Sequence, residues 1–327
     1  MNVLSLCHEE IPSFLFPYLR TDAMQRLKGI DMNCGMNFTS FPLFRDIQPY
    51  SRYEHSLGVA LIVWHFTHDQ IQTLAGLFHD ISTTAFSHVT DFMKGDYLKQ
   101  EASENETSLM IQNDTGLMKQ LSEDGIDVSN VCDYHMYPVA DNDSPHLSAD
   151  RLEYTFGDVL DYHFGTAEQL KYIYDDLVVL KNEEGMDEIG FLHADTAYQF
   201  AQLALKCGKV YSSKEDRYAM DRLSDLLKEC VKDHTLTKED LYDSEEHVIA
   251  KICVTHEEEW NHFSSLSRVD VSDVWKDGYR TIQVKKRYID PLVSEKGRVH
   301  ELNRDLNESF HAFCMDDMKE WLKGDTY

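Results

Sequence analysis

Long stretches of the chain repeat apolar residues at three- and four-residue spacing, the period of an amphipathic helix. Thr21-Asp22 ahead of Ala23-Met24-Gln25-Arg26-Leu27 predicts a capped short helix. Further helices are expected at about 55–67, 70–80 and 86–93, the first two carrying the strongly apolar run from Val59 to Phe78. The pattern continues over Asp96–Asn113, Ala149–Tyr162, His193 to about Val210, and Lys214–Asp233, where Ala219, Leu223, Leu226, Leu227 and Cys230 share one face. A helical region follows from Thr237 towards Trp260, and a C-terminal helix is expected over Leu302–Leu322. Residues 34–50 read as loop with room for a short hairpin, and 114–147 as loop with one short helix. Leu170–Leu180 is less regular, and Lys181–Met186 is a charged turn. Tyr279–Ile289 alternates polar and apolar positions and is β-branched, which predicts a strand. The expected fold is mainly α: one helical domain over 1–260, with a small C-terminal α/β appendage over 261–327 made of a short strand region and a terminal helix.

Composition narrows the partners. The chain has 327 residues, 42% hydrophobic, enough for a packed core. Its formal charge of −27 repels nucleic-acid backbones and anionic lipid, so neither a long nucleic acid nor a membrane surface is an expected partner. A small phosphorylated ligand stays open if cations or a metal line its pocket. No apolar run reaches the ~18 residues of a membrane span, and the first residues lack a signal-peptide pattern. The seven cysteines are scattered and form no CxxC, so reduced thiols in a cytoplasmic protein are expected.

Two places carry the chemistry. Ser51-Arg52-Tyr53-Glu54-His55-Ser56-Leu57-Gly58-Val59 opens one helix, and His79-Asp80 closes the next, after Leu74, Ala75, Leu77 and Phe78. A histidine and an aspartate ending a buried helix need partners, because an unpaired charge there is costly. His55, His79 and Asp80 could converge on one divalent ion, and imidazole with carboxylate suits Mn, Fe, Ni, Zn or Mg alike. Arg52, three residues before His55, could clamp a phosphate bidentately or pair with one of many acids. His68-Asp69 sits where one helix ends and another starts, and capping explains it better than metal.

Arg52-Tyr53-Glu54-His55-Ser56-Leu57-Gly58-Val59, Ala75-Gly76-Leu77-Phe78-His79-Asp80, Phe86-Ser87-His88 and Ala149-Asp150-Arg151-Leu152-Glu153-Tyr154 occur in that order. Together they resemble the signature of the HD-domain metal-dependent phosphohydrolases, in particular the branch containing the deoxynucleoside-triphosphate triphosphohydrolases. The likeness covers roughly residues 10–250, through Met24-Gln25-Arg26-Leu27 upstream and Val210-Tyr211 and the Arg217 helix downstream. It implies an HD-domain helical bundle and one divalent metal ion held by His55, His79, Asp80 and Asp150. It further implies that Arg52 and Arg151 contact phosphate, that Tyr154 and Asp158 meet a sugar, and that His88, oriented by Asp91, transfers a proton at the leaving group. Tyr154 and Asp158 lie three and seven positions after Arg151, on one helix face. Both also read as ordinary core or solvent-facing residues, and Tyr211, Lys214 and Arg217 read as a solvated helix start.

The resemblance breaks at three points. The family's His-Asp-x-Gly-His reads His79-Asp80-Ile81-Ser82-Thr83 here, a later His-Glu pair is Asn105-Glu106, and a sugar-reading glutamine aligns with Met32. Threonine and asparagine donate hydrogen bonds but do not relay protons near neutral pH. The expected activity is therefore hydrolysis of a nucleotide or similar small phosphoester by metal-activated water. The alternative is a catalytically weakened protein that binds a nucleotide as a regulatory module. Relatives of this kind often self-associate, so a homo-oligomer is compatible with the resemblance.

Overall fold

The computed structural model describes residues 8, 10–94 and 106–326. Asn105, the first ten residues of the Asp96–Asn113 helix and Cys7 lie outside the described residues. Helices α1 (Leu15–Leu19) and α2 (Asp22–Arg26) lead through short 3₁₀ turns to α3 (Arg52–Thr67) and α4 (Gln70–Phe78). There is no hairpin in 34–50; Met36–Phe38 and Pro42–Phe44 are single 3₁₀ turns, and Phe41 and Phe44 anchor them in the core. Short helices α5 (Val89–Lys94), α6 (Thr107–Asn113) and α7 (Thr115–Asp124) precede α8 (Ala149–Asp161) and α9 (Ala167–Asp175).

Helix α3 is the central element. Ten of its residues are buried, Leu57 and Val59–Val63 among them, so it is covered on nearly all sides. Ser51 and Glu54 start it with a reciprocal capping box, which sets the direction in which Arg52 and His55 leave the first turn. Asp69 caps α4 by accepting from the Ile71 and Gln72 amides, and His68 ends α3 in the left-handed region. Helices α4 and α8 pack on α3, and that packing brings the end of α4 and the start of α8 to the start of α3.

After α9 the chain forms a hairpin, β1 (Leu177–Lys181) and β2 (Asp187–Phe191), whose turn coincides with the charged segment read from the sequence. The flanks of that turn are strands, not irregular chain, because Val178, Val179 and Ile189 pair across it. Long helices α10 (Ala194–Tyr211) and α11 (Lys214–Lys232) follow, then α12 (Glu245–Thr255), α13 (Glu257–Ser264) and β3 (Leu266–Ser272).

Residues 281–290 form no strand. They run extended without a ladder partner, and only Arg280 makes an isolated bridge, to Leu322. The alternation is real, since Ile282 and Val284 are buried, but a pattern of period two marks any extended chain with one covered face. Strands β4 (Leu292–Val293) and β5 (Gly297–Arg298) extend the first sheet, β4 lying parallel to β2. Helices α14 (Val299–Leu302) and α15 (Arg304–Met315) come next. The expected terminal helix stops at Met315, and Trp321–Thr326 is β6, antiparallel to β3 with Val269 opposite Gly324. No described helix is long and apolar enough to cross a membrane, and the six described cysteines are free thiols.

Candidate metal centre and substrate cavity

His55 on the first turn of α3, His79 and Asp80 just beyond α4, and Asp150 on the first turn of α8 point at one spot. His55 Nε2 lies 3.1 Å from His79 Nε2, 3.1 Å from Asp150 Oδ1 and 3.7 Å from Asp80 Oδ2. His79 Nε2 is 3.4 Å from Asp80 Oδ2 and 3.7 Å from Asp150 Oδ1. The structure thus brings together all four residues that the sequence motifs pick out.

The tautomers decide what this cluster wants. His55 Nδ1 donates to Glu153 Oε2 at 2.5 Å, and His79 Nδ1 donates to the Gly76 carbonyl at 2.7 Å. With both Nδ1 protons committed, the two Nε2 lone pairs face each other and two carboxylate oxygens. Four Lewis bases around one point repel unless a cation sits among them, so the donor set fits a divalent ion. The local field agrees. Burial works against charge on the His55 ring, but Glu153 and Asp150 outweigh it and push the ring up to about 10, so the site favours a positive charge at His55 Nε2, a proton where no ion takes its place. Burial likewise opposes ionisation of Asp80 and Asp150, yet Arg52 in the first case and His55 in the second hold them well below the usual carboxylate range.

Glu153 has no role in the sequence reading, yet it is fully buried and also accepts the Tyr50 hydroxyl. It is the orienting partner that fixes the His55 tautomer. Gly58 makes room for it: a Cβ at that position would stand 2.4 Å from Glu153 Oε1. A glycine inside a helix, one turn after His55, was the signal that something large must pass there.

Arg52, His88, Arg151, Tyr154 and Asp158 line a cavity of about 260 Å³ that opens from the cluster, and Asp91 stands behind His88. Arg52 donates from Nη1 to Asp80 Oδ2 at 2.6 Å and from Nε to Ser87 Oγ at 3.0 Å. Thr83 donates to the other Asp80 oxygen at 3.0 Å, so its hydroxyl orients the carboxylate. Phe86 and Ser87 are both left-handed, which costs roughly 1–2 kcal/mol each. Arg52 on Ser87, and Glu245 accepting the Phe86 amide, hold that turn and present His88 to the cavity. His88 Nδ1 bonds Asp91 Oδ2 at 3.0 Å, and burial lowers the ring's affinity for a proton despite that carboxylate.

Arg151 is committed to the loop before α8. It donates to the Asn142 carbonyl at 2.6 Å, to Asn142 Oδ1 at 2.8 Å and to Ser148 Oγ at 3.0 Å, and pairs with Asp141 at 3.0 Å. Tyr154 and Asp158 continue along the cavity wall, where Asp158 accepts the Tyr211 hydroxyl. Burial pushes Tyr154 up to about 12 and Asp158 up to about 7, and Asp216 on α11 up to about 8. Met32 also lines this space. Arg217 does not belong to a solvated helix start: it is buried, and donates to the Ser212 and Ile282 carbonyls and to Glu320.

The extended segment 281–290 was missed as a source of site residues, yet Val284, Lys285 and Arg287 line the same cavity. A second acidic group, His146, Glu183 and Glu188, lies elsewhere, and there Arg298 binds both glutamates and supplies the positive charge.

No protein-family model matches the chain. It is 26% identical over 259 residues to the uncharacterized protein YdhJ of Bacillus subtilis, covering 76% of this chain and 74% of that one. It is 30% identical over 149 residues to the metal-dependent phosphohydrolase cns2 of Cordyceps militaris, a match spanning 45% of this chain and 41% of cns2. Among solved structures, a phosphohydrolase from Bacteroides thetaiotaomicron superposes with a TM-score of 0.64 at 14% identity, over 97% of both chains. A hypothetical protein from Aquifex aeolicus superposes with a TM-score of 0.61 at 16% identity, over 95% of this chain and 91% of that one. The chain therefore shares its fold with these two solved structures along nearly its whole length.

Proposed function

We propose that the chain is an HD-type, divalent-metal-dependent phosphohydrolase acting on a small phosphoester such as a nucleotide. The observation that carries this reading is the pair of imidazole Nε2 atoms, 3.1 Å apart with both Nδ1 protons engaged elsewhere, facing Asp80 and Asp150. The names borne by cns2 and by the Bacteroides structure support it.

His55, His79, Asp80 and Asp150 would hold the ion, which supplies a Lewis acid that acidifies water and draws charge from a phosphoryl oxygen. The rest of the work falls to the chain. Glu153 keeps the His55 lone pair inward, and Arg52 and Thr83 aim the Asp80 carboxylate. Arg52 stands beside the site with a charge that can face equatorial phosphate oxygens. His88, oriented by Asp91, moves a proton to the leaving oxygen, and Tyr154 and Asp158 contact the organic part of the substrate.

Metal analysis, together with a panel of nucleotides and other phosphoesters assayed with Mn, Mg, Ni, Co and Fe(II), tests the reading. His79→Ala is expected to lose both ion and hydrolysis, while His88→Ala keeps the ion and turns over slowly. A wild-type protein that binds none of these metals, or binds one and hydrolyses no phosphoester, removes the reading.

A further inference from the structure

The corner that opens α12, residues 241–245, lies far along the chain from the His55 and His79-Asp80 motifs, yet it grips the backbone on both sides of them. On one side the Ala85 amide donates to the Leu241 carbonyl at 2.7 Å, and the Phe86 amide to Glu245 Oε1 at 3.2 Å. On the other, the Asp31 amide donates to the same Glu245 oxygen at 3.2 Å. Arg26 ties the corner in as well, with Nη1 on the Tyr242 carbonyl at 3.1 Å and Nη2 on the Ile81 carbonyl at 2.7 Å. Gly29 permits the close approach, since a Cβ there would stand 2.6 Å from Ser244 Cβ.

Each gripped segment leads straight into the site. The Ile30 carbonyl accepts the Arg52 amide at 2.9 Å and Asp31 Oδ2 accepts the Tyr50 amide at 3.1 Å, so residues 30–31 are laced to the first turn of α3, which carries His55. Phe86 and Ser87 are the two left-handed residues directly ahead of His88. Such a pair is costly and persists only where its surroundings over-determine it. Ser87 Oγ joins the two segments, donating to the Asp31 carbonyl at 3.2 Å while accepting from Arg52 Nε at 3.0 Å. Glu245 is 4% exposed, and burying an acid is expensive; what it gains there is the two backbone amides, one from each segment.

We propose that Glu245 is a positioning residue for the proton-transfer step: from the first turn of α12 it pins the Phe86-Ser87 turn to the 30–31 segment and so fixes His88 relative to the start of α3. The proposal rests on the phosphohydrolase reading, and within it on proton transfer by His88.

The test uses the full-length protein loaded with Mn(II), assayed on whichever phosphoester of the panel it turns over fastest, p-nitrophenyl phosphate and thymidine 5′-triphosphate included. Glu245→Ala removes the shared acceptor and is expected to lower kcat by about 10- to 100-fold, with KM and Mn content within about threefold of wild type. Glu245→Gln keeps an oxygen that accepts both amides and should restore most of that loss. In a His88→Ala background, Glu245→Ala should cost less than about threefold more, because the group it aims is already gone. Hydrogen exchange over residues 84–88 should quicken in Glu245→Ala and return to the wild-type rate in Glu245→Gln. Should the alanine variant not fold, Glu245→Asp, which withdraws the acceptor by one methylene, carries the same cycle. A kcat loss that adds in full to that of His88→Ala, a glutamine variant as slow as the alanine one, or unchanged exchange over 84–88 overturns the proposal and leaves the metal reading standing. Normal turnover by His88→Ala removes the proposal together with the role of His88. A wild type that holds no Mn, or hydrolyses none of the phosphoesters, removes the phosphohydrolase reading beneath both.

Discussion

Replacing Glu153 by Gln tests the tautomer argument at its root. The carboxylate is fully buried and accepts two protons, from His55 Nδ1 at 2.5 Å and from the Tyr50 hydroxyl. Glutamine has nearly the same size but only one accepting oxygen, and its NH₂ can only donate. The Tyr50 hydroxyl has no other acceptor within this group and takes the oxygen, so the NH₂ turns to His55 Nδ1. That nitrogen must then accept, and the ring proton moves to Nε2, the atom 3.1 Å from both His79 Nε2 and Asp150 Oδ1. A bound ion would lose one of its proposed ligands to that proton. Loss of an orienting partner of this kind typically weakens metal binding by about 10- to 100-fold, or about 1.4–2.8 kcal/mol. Calorimetric titration with Mn(II), or competition with a chelator, reads the change directly. Melting of the metal-free variant separates loss of the ion from loss of the fold. A Glu153→Gln protein that binds Mn within about threefold of wild type, while His79→Ala binds none, would refute the assignment of Nε2 as the ligand atom.

Gly58→Ala should push Glu153 off its place, destabilising the protein by about 1–3 kcal/mol and weakening metal binding in parallel; a variant that melts normally and binds metal normally contradicts the close approach of Gly58 and Glu153. Arg217→Met leaves Glu320 without its partner and frees the Ile282 carbonyl. Because Glu320 is partly solvated, the cost should fall near the low end of the usual 3–5 kcal/mol, measured by urea unfolding. His88→Ala should lower kcat by about 10²- to 10⁴-fold with metal content unchanged, as measured by turnover and metal analysis. Asp216 gives a pH prediction: burial raises its folded-state pKa to about 8 from the ordinary carboxylate value of 3.8, so ionisation penalises the folded state increasingly as pH rises between those values. In metal-free protein the melting advantage of Asp216→Asn over wild type should therefore widen from mildly acidic pH to about 8 and level off above it. An advantage independent of pH would show that Asp216 is ionised in the fold.

The convergence of His55, His79, Asp80 and Asp150 was legible because each sits at a helix end inside a short run with its own logic. His55 follows a capping box, His79-Asp80 ends an apolar helix, and Asp150 opens an amphipathic one. Glu153 was not legible as more than helix, since an acid three residues after Asp150 looks like a solvated face; only Gly58, on another helix, hinted at it. Residues 281–289 misled for a physical reason. Alternation reports one covered face, and it says nothing about whether the backbone finds a ladder or, as here, is held by side-chain bonds, Arg217 donating to the Ile282 carbonyl and Lys286 to the Cys314 carbonyl. The hairpin 177–191 hid behind a correctly read turn, and the last helix was overextended past Met315 into β6. In each miss the deciding partner lies far along the chain.

The cavity also has two ages along the chain. His55, His79, Asp80 and Asp150 lie between residues 55 and 150, and Glu153 follows close behind, whereas Val284, Lys285 and Arg287, which line the same cavity, come more than a hundred residues later. During synthesis the clustered histidines and aspartates are all available before the chain beyond α13 and before α15, whose end Lys286 caps. One end of the cavity is thus written early and the opposite wall late.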